Sequence, residues 1–119
     1  IGIAPLIDDE FNRGKSHIKW MEYAMIKIPC IASKVYPYFT DIQGKKVIEH
    51  EKTGYLAENK QDWIKYLQLL IDNEQKRREI GENAYEYVKN NWQWDKEKLE
   101  NIFNEIDKLP IKTLNDYGL

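Results

Sequence analysis

The sequence predicts an α/β fold: about three short, buried parallel strands, one helix crossing between the first two, and three helices in succession at the end. Three observations lead there. Apolar runs at residues 1–7 and 30–33, and a shorter one closing residues 53–57, are too short for helices and do not alternate with polar residues, the pattern of strands covered on both faces. Between and after them stand stretches with an apolar residue every three or four positions. Proline, glycine and asparagine mark the joins.

Taken in order, Ile1 to Ile7 reads as a buried strand, followed by a loop over residues 8–13. Residues 16–27 read as a helix with Ile18, Met21, Ala24 or Met25, and Ile28 along one side, Ser16 as its cap, and Pro29 as its end. Cys30 to Ser33 is the second strand, so residues 1–33 have the length and pattern of a right-handed βαβ unit. Residues 34–53 are irregular: Tyr36-Pro37-Tyr38 interrupts any strand and Gly44-Lys45-Lys46 marks a turn. The third strand closes residues 53–57. Asn59 with Asp62 three places on starts a helix bearing Trp63, Tyr66, Leu67, Leu70 and Ile71. A second bears Ile80, Ala84, Tyr87 and Val88, and a third, over residues 95–108, bears Leu99, Ile102, Phe103 and Ile106, each with polar residues opposite. Pro110 closes the last, leaving residues 109–119 as a loosely held tail. Doubly wound domains usually carry five or six strands. Three make a partial Rossmann-like sheet, and a chain opening inside an apolar run without an initiator Met reads as the C-terminal part of a larger α/β domain.

Composition sets the outer limits. The 119 residues are 42% apolar and 13% aromatic, enough for one domain with its own core and against disorder of the whole chain. Eighteen Lys and Arg against twenty Asp and Glu give a net charge of −2 with both signs interspersed. Nothing in that balance steers the chain to nucleic acid or an anionic membrane. No apolar stretch approaches the ~20 residues of a transmembrane helix. The single cysteine, Cys30, fits a reducing, cytoplasmic setting.

The densest polar stretch runs from Asp8 to Ser16 and continues through Lys19 and Glu22. It falls at the carboxyl end of the first strand and the start of the first helix, where open α/β sheets bind ligands and helix N–H groups favour phosphate. Gly14 lets a ligand approach the backbone, Lys15 brings a mobile cation, and Ser16, Lys19 and Glu22 are spaced three apart, as on one helix face. Together they suit a nucleoside diphosphate, with the Glu22 carboxylate accepting from ribose hydroxyls; a capped, solvated helix explains the same residues. Gly14-Lys15-Ser16 is not a Walker A loop, because Asp9 stands where that motif needs glycine. His17, His50 and Cys30 have no zinc spacing, and Cys30 in a strand is a poor nucleophile. Asp8, Asp9 and Glu10 either hold a cation or face solvent. Tyr36, Tyr38 and Phe39 stack on a base or pack the core, Gly44 and Gly54 bound a loop over a ligand or a turn, and Trp92 and Trp94 pack between helices or form a patch.

The run Gly2-Ile3-Ala4-Pro5-Leu6, Phe11-Asn12-Arg13-Gly14-Lys15-Ser16, Ile18-Lys19, Glu22-Tyr23 and Pro29-Cys30-Ile31-Ala32-Ser33 resembles the nucleotide-sugar-binding C-terminal domain of group 1 glycosyltransferases, the retaining family 4 type with the GT-B fold. Val47-Ile48-Glu49-His50, Thr53-Gly54-Tyr55-Leu56, Trp63, Arg78, Gly81 with Ala84, and Trp92-Gln93-Trp94 follow in that family's order, so that the resemblance covers residues 1–108. It implies a fragment of an enzyme moving a sugar from a nucleoside-diphosphate donor to a glycan or other acceptor, with no further cofactor. Glu22 matches the second glutamate of the E-x7-E motif, which binds ribose; Gly14 stands where the first would be. Lys15 and Ser16 would lie by the diphosphate, and Thr40-Asp41-Ile42 near the donor. The Arg/Lys pair and the acceptor site belong to parts of such enzymes before Ile1, so this chain alone is expected to be inactive, with an exposed sheet edge able to self-associate. The rivals are a non-catalytic α/β structural or protein-interaction module and a flavodoxin-like phosphate-binding domain, the latter opposed by the three consecutive terminal helices.

Overall fold

The structure, a computed structural model, describes residues 1–41, 43–92 and 96–108. The expected tail, Pro110, Ile42, Gln93 and Trp94 lie outside the described residues. Three parallel strands, β1 (Gly2–Ala4), β2 (Cys30–Ser33) and β3 (Tyr55–Ala57), form one sheet in the order β1-β2-β3. Gly2 faces Cys30 and Ala4 faces Ala32 in the first pair; Ile31 faces Tyr55 and Ser33 faces Ala57 in the second. Five helices accompany them among the described residues: α1 (Glu10–Arg13), α2 (Ile18–Met25), α3 (Lys60–Asp72), α4 (Glu74–Trp92) and α5 (Lys96–Asp107). A partial Rossmann-like parallel sheet with flanking helices is therefore present, and residues 1–33 form the βαβ unit.

The sheet is covered on both sides. Cys30, Ala32, Ala4 and Leu56 turn to one core with Trp20 and Ala24 of α2, Ala84 and Val88 of α4, and Tyr38, Val47 and Ile48 of the irregular connection. Ile31, Tyr55 and Ala57 turn the other way, onto Tyr66 and Leu70 of α3 and Ile80 of α4. Every residue of β3 and the first three of β2 are buried, as non-alternating strands require. On the edge strand β1 Ile3 remains half exposed.

Several local expectations need correction. The stretch read as a loop contains α1, because Asp9 Oδ1 accepts the Asn12 N–H at 2.8 Å and caps it. Helix α2 is shorter than its periodicity: it stops at Met25, four residues before Pro29, where Lys27 turns left-handed at φ 57° and the Ile26, Lys27 and Ile28 N–H groups bond back to Tyr23 and Ala24 carbonyls. Ser16 does not cap it; His17 occupies the N-cap position with no side-chain bond. Its buried face is centred on Trp20, while Ile18 and Met25 are exposed. Trp20 is fully buried and donates Nε1–H to the Thr53 carbonyl at 3.0 Å, tying α2 to the loop before β3.

Helix α3 starts as expected. Asn59 Oδ1 accepts the Asp62 N–H at 3.0 Å and Asp62 accepts the Glu58 N–H at 2.9 Å. Asn73 ends α3 and its Oδ1 accepts the Lys76 N–H at 2.8 Å, so a single residue joins two helices. Gly81 lets α4 close on the end of α2: a Cβ there would stand 2.8 Å from the Lys27 carbonyl carbon and nearer still to its oxygen. Gly54, at φ 156°, lies against the Cys30 carbonyl and the Ile48 side chain, so it is a packing position of the sheet. Leu99, Ile102, Phe103 and Ile106 share one side of α5, as expected, and all are exposed.

Candidate functional site

The polar stretch before α2 folds onto itself. Arg13 donates from Nε to Asp8 Oδ1 at 2.8 Å and from Nη2 to Oδ2 at 3.1 Å, and its guanidinium holds the Asp8 carboxyl below the usual carboxylate range. Asp9 is spent on the α1 cap. Two of the three acidic residues thus have local partners, and among the described residues no group of three His, Cys, Asp or Glu side chains is placed to hold a metal ion.

Gly14 follows α1 in the ordinary right-handed region, at φ −80°, and a Cβ there would meet only the Phe11 carbonyl oxygen, at 3.4 Å. Neither its backbone angle nor its surroundings demand glycine. Lys15 places Nζ 5.0 Å from the Phe11 ring centroid. Among the described residues no carboxylate lies within ion-pair distance of it. Because α2 has no side-chain cap, its first turn keeps backbone N–H groups without a protein acceptor, at the positive end of the helix dipole.

Gly14 and Lys15 border a cavity of about 260 Å³, with Arg13, Ser16 and the N-cap residue His17 on the same side and Tyr36, Pro37 and Asp41 on the other. The far side is fixed by its own bonds. Asp41 Oδ1 accepts the Gln43 and Lys45 N–H groups at 2.9 and 2.8 Å, closing the turn in which Gly44 is left-handed at φ 77°. Tyr36 leans edge-on against Phe39, with centroids 6.3 Å apart. The His17 ring stands between the cavity and an aromatic cluster, 5.2 Å from Trp92 and 6.5 Å from Trp20. Burial pushes its pKa down, and the Asp41 carboxylate pulls the other way.

Of the five residues singled out in the sequence, Gly14, Lys15 and Ser16 meet at this cavity. Lys19 and Glu22 do not border it. They lie on the exposed side of α2, paired with each other at 3.5 Å, and Lys19 Nζ lies 5.5 Å from the Tyr23 ring. Ser16 precedes the helix, so the three side chains do not form one helical face. His17 stands out in the sequence only as a poor metal ligand, although its position beside Ser16 at a helix start was a usable signal. Pro37 gave none, since its place depends on how the irregular connection folds.

The other candidates have structural roles. Burial pushes the Cys30 thiol up to about 12, which keeps it protonated and unreactive. His50 accepts the Leu56 N–H on Nδ1 at 3.0 Å and has Nε2 3.3 Å from the Tyr66 hydroxyl, bracing β3 against α3. Tyr38 is core, and Trp92 packs on Trp20 and Tyr87.

A parallel α/β sheet with a crossover helix between its first two strands defines a class of fold, and sequence comparison makes it specific. The family model for group 1 glycosyl transferases matches residues 18–87, more than half of the chain. The chain belongs to that family. Lys19 and Glu22 fall within the matched stretch, and residues 14–16 end two positions before its first residue. No curated protein and no solved structure matches the chain. Among the described residues no helix is long and apolar enough to cross a membrane.

Proposed function

We propose that this chain supplies part of the donor site of a retaining glycosyltransferase, with the cavity before α2 receiving the diphosphate of a nucleotide sugar. One observation carries the reading: Lys15, without a carboxylate partner among the described residues, and the side-chain-free Gly14 share a cavity with His17, the residue that precedes α2 without a side-chain capping bond. When the bond from the anomeric carbon to the diphosphate breaks, negative charge grows on the departing phosphate oxygen. A lysine ammonium and fixed N–H dipoles stabilise that charge more than the neutral linkage it replaces. Arg13 adds field although Asp8 neutralises most of its charge. Glu22, along α2 from Ser16, is the candidate acceptor for ribose hydroxyls, with Lys19 holding its carboxylate until the nucleotide arrives. The remaining cations and the acceptor site are assigned to a further domain of the enzyme, and this chain alone is expected to be inactive.

A second reading, a protein-interaction module, draws support from the apolar side of α5, where Phe103 is 60% and Ile106 52% exposed. Titration of isotope-labelled protein with millimolar UDP, GDP and ADP separates the two. The donor-site reading expects shifts centred on residues 14–22 for at least one nucleotide, lost on Lys15→Ala and reduced on Glu22→Ala. Absence of shifts with all three would sink it in favour of the interaction module. Sedimentation of the same samples tests pairing through the β1 edge, which the half-exposed Ile3 supports; a monomer at high concentration counts against that contact.

A further inference from the structure

We propose that His17 makes this cavity proton-sensitive: a diphosphate bound beside Lys15 is held more tightly when the His17 imidazole is protonated, so that binding takes up one proton from solvent. The inference rests on the donor-site reading above and names a residue that reading does not use.

His17 borders the cavity and is packed from behind by rings. The groups around it divide clearly. Asp41, across the cavity on the connection after β2, favours the imidazolium. The Trp92 indole from α4, 5.2 Å away, also favours it, whereas Trp20 from α2, at 6.5 Å, lies beyond cation–π range. Against it stands burial; the cations that share the cavity are Lys15 and Arg13, the latter paired with Asp8. Lys45, over the Trp92 ring at 4.7 Å, competes for the same aromatic density, and the Tyr87 phenol beside Trp92 stays neutral because burial raises its pKa. With the cavity empty, burial prevails and the ring is neutral near pH 7.

A bound diphosphate reverses that balance. It brings negative charge into the same cavity, partly enclosed by protein, where a nearby charge outweighs a moderate burial cost. The imidazole pKa then lies below its ordinary value in the free protein and above it in the complex. Affinity therefore rises as pH falls through the bound-state pKa and levels off below the free-state pKa. In that window one linked proton changes affinity by at most about tenfold per pH unit.

The test uses the full chain and nucleotide sugars, whose diphosphate diester does not itself titrate between pH 6 and 8: UDP-glucose, GDP-mannose and ADP-glucose. For whichever binds, the dissociation constant is measured at pH 6, 7 and 8 for the native protein and His17→Gln. Expected is about tenfold tighter binding at pH 6 than at pH 8 in the native protein, and less than a twofold change in the variant. The same pH slope in both proteins, or no slope in the native one, overturns the proposal. A direct readout independent of the variant's folding is the His17 ring resonance, titrated with and without ligand. Its midpoint is expected to rise by at least about one pH unit on binding, and an unmoved midpoint overturns the coupling while leaving the donor site intact. Failure of all three nucleotide sugars to bind at any pH overturns both.

Discussion

Two glycines bracket helix α2 and answer to opposite demands. Gly14, before its amino end, has an ordinary backbone conformation, and a Cβ there would touch only the Phe11 carbonyl oxygen, at 3.4 Å. Gly81, on α4, is pressed against the Lys27 carbonyl just beyond its carboxyl end, where a methyl group has no room. One end of the helix is closed by backbone packing; the other is uncapped, polar and bordered by a cavity. The difference teaches that the glycine the fold requires is the one far from the site. The glycine at the site is free to serve a ligand.

Substitutions break or sharpen that contrast, the largest effect first. Trp20→Ala empties the centre of the packed side and strands the Thr53 carbonyl, so a loss of about 3–5 kcal/mol is expected by denaturant unfolding, enough to leave the protein largely unfolded if its reserve is small. A cost under about 1 kcal/mol would mean that the α2–sheet contact is not the centre of the core. Gly81→Ala should cost about 1–3 kcal/mol, because the new methyl must push α4 off the end of α2. Cys30 gives an independent readout: its thiol, raised to about 12 by burial, should resist alkylation at pH 8 in the native protein and react faster in this variant.

At the other end the same change reverses sign. Gly14→Ala should leave the fold intact and raise stability by about 0.4–1 kcal/mol, since the native angle suits alanine and the unfolded chain loses freedom. Its methyl group at the cavity should at the same time weaken nucleotide binding. Loss of stability here would show that Gly14 is structural after all. The smallest effect is expected of Arg13→Gln. The Asp8 carboxyl, held low by Arg13, should titrate nearer its ordinary range in a carboxyl-resonance experiment, with no resolvable change in melting temperature because both groups are exposed. The sign is fixed: this pair adds stability only above the unfolded pKa of Asp8 and loses it as pH falls through the lowered folded value.

Much of this was legible along the chain. Cys30 to Ser33 reads as a strand between a proline and a polar turn, and it is one. Asn59 and Asp62 announce the start of α3 three residues apart, and the caps form. Lys15 and Ser16 stand out by chemistry, and the cavity includes both. The misreadings arose where local rules compete. Pro29 is a strong helix stop, yet α2 ends earlier because a left-handed Lys27 and the close approach of Gly81 fix its exit. Trp20 does not fit the face drawn through Ile18 and Met21, and only burial against Thr53 reveals it as the centre. Ile18 and Met25 follow helical spacing but are exposed.

The order of the strands and of the four longer helices, and the family they belong to, follow from the sequence alone, because periodicity, caps and short motifs act over a few residues. The cavity does not. Its far wall, Tyr36, Pro37 and Asp41, belongs to the connection after β2, and the His17 ring is held by Trp92, 75 positions away in the numbering. Such neighbours are chosen by how α4 closes on α2 and how an irregular loop returns over the sheet edge. Those are long-range packing decisions, and they settle which polar side chains of one helix start share a cavity and which merely face water.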